Sequence, residues 1–286
     1  MAGVAVVTDS TASLPRDQAA RAGITTIPLQ VVIDEVSRPE SDEAVTPALV
    51  AEALRRGHRV STSRPSPEAF AAAYAELAAA GYDTIVSIHL SRAMSATYEA
   101  ACKAAEAAPV PVTVVDSTTL AMATGFAALA GAQAAAAGAE AREVAEQVRR
   151  RAVAATTYFY VDTLEHLRRG GRIGPAAALL GSALSVKPLL TVSRGAIRPH
   201  ERVRTAAKAL ARLEDLGVST YAKAARSTSY VDVAVHHLDD ATKAAQFATR
   251  LSARLSSTEV VTSEVSAVLA AHVGPGVLGV VISPRV

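Results

Sequence analysis

The chain has 286 residues, of which 50% are hydrophobic, 20% charged and 4% aromatic, a composition that excludes disorder and fits a globular protein of one large or two ordinary domains. With 29 Lys and Arg against 27 Asp and Glu, the formal charge of +2 gives no chain-wide reason to expect nucleic acid. The single cysteine, Cys102, excludes an internal disulfide, a redox pair or a cysteine zinc cluster, and fits a reducing cytoplasm.

The first residues, MAGVAVVTDSTASLP, lack the charged start and long apolar core of a signal peptide. Val4 to Thr8 reads as a strand that ends in a polar turn at Asp9-Ser10, where Asp9 is expected to serve as turn or cap. Ile24 to Val32 reads as a second strand, followed by a charged loop from Asp34 to Glu43 and a helix from about Thr46, with Pro47 at the first helical position. Ser66-Pro67-Glu68 is a helix start that carries the chain to Gly81. Thr84 to Ile88 is a strand, Ser95 to Ala108 a helix, and Val112 to Val115 a strand closed by Asp116-Ser117. The Ala- and Gly-rich window from Ala121 to Ala137 is too weakly hydrophobic for a membrane span and reads as a buried helix.

The composition shifts after Arg149-Arg150-Arg151, which places a domain boundary near residue 155. Beyond it come a strand from Thr157 to Val161, a helix from Leu164 to Arg169, the turn GGRIG and an Ala/Leu helix. A strand from Leu189 to Val192, a turn at Ser193-Arg194-Gly195, another strand and a helix from Thr205 to Leu213 follow. Strands at Tyr230 to His236 and Glu259 to Val265 flank a helix near Ala241 to Leu255, and Gly279 to Ser283 is the last strand. This alternation of β-branched and helical segments predicts an α/β fold with mostly parallel, covered sheets.

Ligands of such sheets collect beyond the carboxyl ends of strands. Four polar segments qualify: Asp9 to Thr11, Thr62 to Pro67, Ser91 to Thr97, and His272 to Gly276, although Ser/Thr clusters before helices more often cap than bind. No GxxxxGK[ST], GxGxxG, GxSxG or HExxH signature occurs, and His236-His237 would point to opposite faces of a strand, away from shared metal ligation.

Taken together, VTDSTASLP, TSRPSPEAF, LSRAMSATYEAA, VDTLEHLRRGGRIG, VKPLLTVSRGAIRP with RVRTAAKAL, and HVGPGVLG resemble the successive motifs of the DegV family over nearly the whole chain. The resemblance implies two α/β domains, residues 1–155 with the carboxylate-binding loops and residues 156–286 covering an acyl chain, with a ligand cleft between them. It implies a non-catalytic carrier in the cytoplasm of a bacterium. Such a carrier holds one long-chain fatty acid, presents its carboxyl group to a separate ATP-dependent fatty acid kinase, and carries the acyl phosphate toward phospholipid synthesis, with transient membrane exchange and no cofactor. By motif position, Thr62 and Ser95 are similar to the family's carboxylate-binding hydroxyls, with Ser63 and Ser91 beside them and His272 near the head group; Arg172 and Arg204 are similar to partner-docking residues. The chain departs from the family pattern at Arg64, where Gln is common, at Ala96, where Gly is usual, and near Ala93, where Gly or another small residue is usual.

Leu120, Met122, Phe126, Leu179, Leu180, Leu184 and Leu278 are candidate tunnel walls, with ordinary core as the competing reading. Nine basic residues between Arg168 and Lys208 face one acid, Glu201, a local basic face that reads either as solvated surface or as a site for docking on an acidic partner; nucleic-acid binding is the weaker alternative, since no aromatic residues interleave to stack bases. Two other functions compete: an enzyme acting on a small phosphorylated metabolite with His272 as general acid or base, and a regulatory protein working through the basic face.

Overall fold

Thirteen strands and ten α-helices build three sheets in the computed structural model, which describes residues 3–41, 43–179, 187–256 and 258–286. Strand β1 (Gly3–Asp9) is followed by helix α1 (Arg16–Arg21), strands β2 (Ile24–Ile27), β3 (Gln30–Ile33) and β4 (Val36–Pro39), helix α2 (Pro47–Arg55) and strand β5 (Val60–Ser63). Helix α3 (Pro67–Ala79), strand β6 (Tyr82–His89), helix α4 (Thr97–Ala105), strand β7 (Val112–Asp116) and helices α5 (Met122–Ala136) and α6 (Ala141–Ala154) complete the first half. The second half runs through β8 (Thr156–Tyr160), α7 (Glu165–Arg169), β9 (Lys187–Ser193), β10 (Ala196–Val203), α8 (Ala206–Ala224), β11 (Val231–His237), α9 (Ala241–Arg254), β12 (Val260–Glu264), α10 (Ala267–Val273) and β13 (Leu278–Pro284).

The first sheet, β2-β1-β6-β7, is wholly parallel. Side chains alternate across a strand, so β1 sends Val6 toward α5 and α6 while Ala5 and Val7 meet Phe70 and Tyr74 of α3. Both faces are therefore dry, and the strand reads as a continuous apolar run. Helix α5 is enclosed on most sides, as its Ala/Gly composition predicts. Among the described residues no helix is long and apolar enough to cross a membrane.

The second sheet, β10-β9-β8-β13-β11-β12, corrects the expectation of mostly parallel pairing: only β11 and β12 run parallel, and every other neighbouring pair is antiparallel. For β9 and β10 the reason is local. Arg194 and Gly195 both adopt positive φ, 52° and 75°, so β9 and β10 form a two-residue hairpin, and a tight hairpin can join only antiparallel strands. One face of this sheet packs Tyr160, Val233, Val235, Val280 and Ile282 under α8 and α9; the other turns Phe159, Ala234 and Val281 toward the first half.

The predicted single strand from Ile24 to Val32 is two strands in two sheets. Pro28 has no N–H to continue the ladder, and the chain leaves the first sheet there. The charged segment expected as a loop contains β4: Asp34 and Glu35 take positive φ, 46° and 72°, and close a hairpin that extends the third sheet, β4-β3-β5. This small sheet and α2 pack on α10 and α7, so residues 29–63 share a core with the second half of the chain. Helix α8 continues to Ala224, well past the expected Leu213. Ser66 and Thr46 cap α3 and α2 with Pro at the first helical position, as their sequences predict.

Candidate functional site

Between the first and second sheets lies a cavity whose walls are mainly apolar. Three loops and one helix end meet at its mouth. Strand β5 brings Thr62, Ser63 and Arg64; the loop after β6 brings Met94 and Ser95; the segment after α7 brings Arg172; the C-terminal end of α10 brings His272. Leu120, Phe159, Leu167, Ile197 and Leu269 line the body of the cavity.

The mouth is a hydrogen-bonded assembly. His272 Nε2 lies 2.8 Å from Thr62 Oγ1, which joins residues 210 positions apart in sequence. Thr62 is held in register opposite Val31 by the β3–β5 ladder. The His272 Nδ1 atom is enclosed with no hydrogen-bond partner, and burial, reinforced by the Arg172 charge, lowers the pKa of this histidine to about 4. The ring is therefore neutral near pH 7. Beneath it lies Gly170, where any β-carbon would overlap Nδ1; the position is a close-approach glycine with an ordinary φ of −73°. Arg172 donates from Nε to the Met94 carbonyl at 3.1 Å and from Nη1 to the Gly170 carbonyl at 2.7 Å, tying the loop after β6 to the segment after α7.

Ser95 Oγ lies 2.9 Å from Thr97 Oγ1, in the turn that opens α4. That turn is braced from the first sheet. The Asp9 carboxylate accepts the Leu90 amide at 3.1 Å and lies 3.0 Å from His89 Nδ1, while His89 Nε2 lies 2.7 Å from Ser87 Oγ, which accepts the Tyr74 hydroxyl at 2.9 Å. Asp9 also accepts from the Thr11 amide at 3.0 Å, so the expected cap is present and the same carboxylate positions the chain that leads to Ser95. Burial is complete along Asp9, Ser87, His89 and Tyr74, which makes this an internal brace and not a solvent-facing triad.

Of the residues singled out from sequence, Thr62, Ser63, Ser95, His272 and Arg172 converge on this mouth. Ser91 does not. Its hydroxyl, in a residue 1% exposed, donates to the Gly195 carbonyl at 2.7 Å and links the first half to the β9–β10 turn. Ser63 Oγ donates to the Arg64 carbonyl at 3.2 Å. Arg204 is exposed between β10 and α8 and takes no part in the cavity wall. Arg64 is exposed yet borders the mouth; Ala96 is exposed, off the wall, and has an ordinary φ of −77°, so its β-carbon introduces no backbone strain.

Among the candidate tunnel residues Leu120 lines the cavity. Met122, Phe126, Leu179 and Leu278 belong to packed core instead, and Leu180 and Leu184 lie outside the described residues. His236 and His237 do point apart: His236 borders the cavity, while His237 Nδ1 accepts the Asp240 amide at 3.4 Å. Among the described residues no cluster of three or more His, Cys, Asp or Glu could hold a metal ion. Sequence reasoning missed Gly170, Met94, Phe159 and Thr157; Gly170 sits in a Gly-Gly pair that reads as an ordinary turn, and the others carry no signal apart from strand or loop composition.

The model of the DegV family, described as an uncharacterised protein family, matches residues 3–285. The chain belongs to the DegV family. This DegV protein is 50% identical to a DegV domain-containing protein of Streptomyces coelicolor, over 99% of both chains, and 35% identical to the DegV protein of Bacillus subtilis, over 97% of this chain and 98% of that one. Its structure is similar to crystal structures of DegV, a fatty acid binding protein from Bacillus subtilis (TM-score 0.89, 33% identity, 99% of both chains), and of a fatty-acid-binding DegV family protein from Thermus thermophilus (TM-score 0.84, 30% identity, 99% of both chains). The cavity described above thus occurs on a fold shared with two solved relatives that are described as fatty acid binding.

Proposed function

We propose that this protein is a carrier that holds one long-chain fatty acid in the cavity between its two halves, which divide near residue 155 except that residues 29–63 pack with the second half, with the carboxyl group at Thr62, Ser95 and His272. The observation that carries this reading is a mainly apolar cavity at whose mouth Thr62, Ser95, Arg172 and His272 gather. At about 0.8 kcal/mol per buried methylene, some fifteen methylenes contribute roughly 12 kcal/mol gross relative to water. Each neutral hydrogen bond nets about 1 kcal/mol. The walls supply affinity and the hydroxyls supply orientation. A phosphorylated metabolite fits poorly here, since an anion of that charge density needs more donors than a largely hydrocarbon lining offers.

Neutral donors leave the carboxylate nucleophilic. In this reading a separate ATP-dependent kinase brings the γ-phosphorus to a carboxylate oxygen, ADP departs, and the carrier retains the acyl phosphate. Exposed Arg204, with the basic residues around β10, supplies a docking surface away from the cavity wall.

Organic-solvent extraction of the purified protein followed by mass spectrometry tests the lipid assignment: a near-stoichiometric fatty acid is expected, and none before or after incubation with fatty acid overturns it. For the partner, Arg204→Ala is expected to preserve fatty acid binding and to lower phosphorylation by the cognate kinase several-fold; unchanged phosphorylation removes Arg204 from the docking surface.

A further inference from the structure

One wall of the cavity differs chemically from the rest of its body. Thr157 and Phe159 stand on β8, inside the second sheet, whereas the carboxyl-binding groups stand on β5, the loop after β6 and the end of α10, so Thr157 belongs to the enclosed wall and not to the mouth. Alternation along the strand puts Thr157 and Phe159 on the same face, and both border the cavity. Thr157 is 5% exposed, and its hydroxyl is enclosed without a hydrogen-bond partner. Its backbone is accounted for: the residue sits in the ladder between Val192 and Val281, and its carbonyl also accepts the Thr191 hydroxyl at 2.8 Å.

The neighbouring polar side chain offers no relief. His236 also borders the cavity, but its Nε2 accepts the Met122 amide at 3.1 Å and its Nδ1 lies 3.2 Å from Ser263 Oγ. Gly279, which stands opposite both Phe159 and His236 in the sheet, contributes no side chain. A buried water needs two to four polar partners to be held, and among the described side chains this wall offers one. Valine has the shape of threonine without the hydroxyl, so an unpaired hydroxyl at this position destabilises the empty protein unless something entering the cavity meets it.

We infer that Thr157 forms a subsite for an oxygen carried on the acyl chain, and that the ligand class is a long-chain fatty acid hydroxylated toward the middle or the methyl end. The inference rests on the fatty-acid reading above and specifies which member of that class the cavity fits. The threonine hydroxyl donates to or accepts from the ligand hydroxyl, which would otherwise be stranded among Leu120, Phe159 and Val265.

The test is a competition. Delipidated protein is incubated with equal amounts of stearic acid and one monohydroxystearic acid, and the bound ratio is read by mass spectrometry for the natural protein and for Thr157→Val. With a hydroxyl in the middle or distal part of the chain, at least one isomer is expected to lose about tenfold in its ratio to stearic acid in the variant, equivalent to about 1.4 kcal/mol. The isomer hydroxylated next to the carboxyl group is expected to keep its ratio. Equal ratios in both proteins for every isomer, with stearic acid bound by both, overturn the inference and leave the carrier standing; uptake of no acid at all overturns the fatty-acid reading and this inference with it. An unchanged or raised thermal midpoint of Thr157→Val certifies that the variant is folded.

Discussion

His272 gathers its setting from two separate stretches of chain: Thr62 bonds it, while in the segment after α7 Gly170 lies beneath it and Arg172 sets its charge environment. Gly170→Ala is expected to push the ring off Thr62 while leaving the backbone unstrained, since φ there suits alanine. Fatty acid affinity should fall about tenfold, the equivalent of one or two hydrogen bonds, with little loss of thermal stability; a variant that binds as tightly as the natural protein would show that the His272 position is immaterial. Protonation supplies a second check. Burial lowers the pKa of both His236 and His272 to about 4 from 6.5, so in the unfolded chain these groups bind protons that the folded state refuses. Their stability contribution is complete above pH 6.5 and is lost as the pH falls toward 4, about 3 kcal/mol at most for fully buried His236. Glu40 works in the opposite sense. Burial raises its pKa to about 7 from 4.5, so it favours the folded state at low pH and loses that contribution as the pH rises from 4.5 through 7. Glu40→Gln removes the opposing trend, and denaturation midpoints measured at pH 7.5 and 5 should fall more steeply with acid in the variant; parallel slopes would refute the assignment.

Turn chemistry decided where sequence reading succeeded among the elements and where it failed. Caps were legible because Ser66-Pro67 and Thr46-Pro47 satisfy helix starts by local geometry alone. The hairpin at Asp34-Glu35 was not, because two acidic residues without glycine read as a solvated loop although both sit at positive φ. There Asp34 accepts the Arg59 amide at 3.0 Å and pairs with His58, tertiary contacts that no local pattern announces. Glu35→Gly should relieve the left-handed backbone and stabilise the protein by up to about 1 kcal/mol, read as a shift in urea midpoint at constant slope. The parallel bias of the first sheet was legible from its dry strands, whereas the antiparallel β9–β10 pair of the second sheet depended on the Arg194-Gly195 turn. Helix α10 joins fold to site: Ser266 caps it by accepting the Leu269 amide at 3.2 Å, and its other end holds His272. Ser266→Ala is expected to cost about 1 kcal/mol of stability and to weaken fatty acid binding through fraying of that helix; intact binding at the lowered stability would separate the cap from the site.

Motif order identified the family and most of the mouth, but not the enclosed wall of the cavity, because that wall is set by how the sheets face one another. Thr62, Ser95 and His272 stand in polar segments that sequence marks as exceptional. Thr157 stands in an ordinary strand, and only its enclosure beside an empty volume distinguishes it. The two halves are fastened by scattered polar bonds: Ser91 to the Gly195 carbonyl, Ser263 to the Ser13 carbonyl, the Ser266 amide to Ser13 Oγ, and buried Arg151 to Asp232.

The crossing of residues 29–63 to the far side bears on how this polypeptide matures. A ribosome that has released only the first 155 residues has delivered β3, β5 and α2 without the helix and strands they rest upon, leaving Val31, Val50 and Ala51 wet until translation finishes. A truncated gene product ending there should therefore clump or be digested, and mixing it with the remaining piece should restore solubility to both.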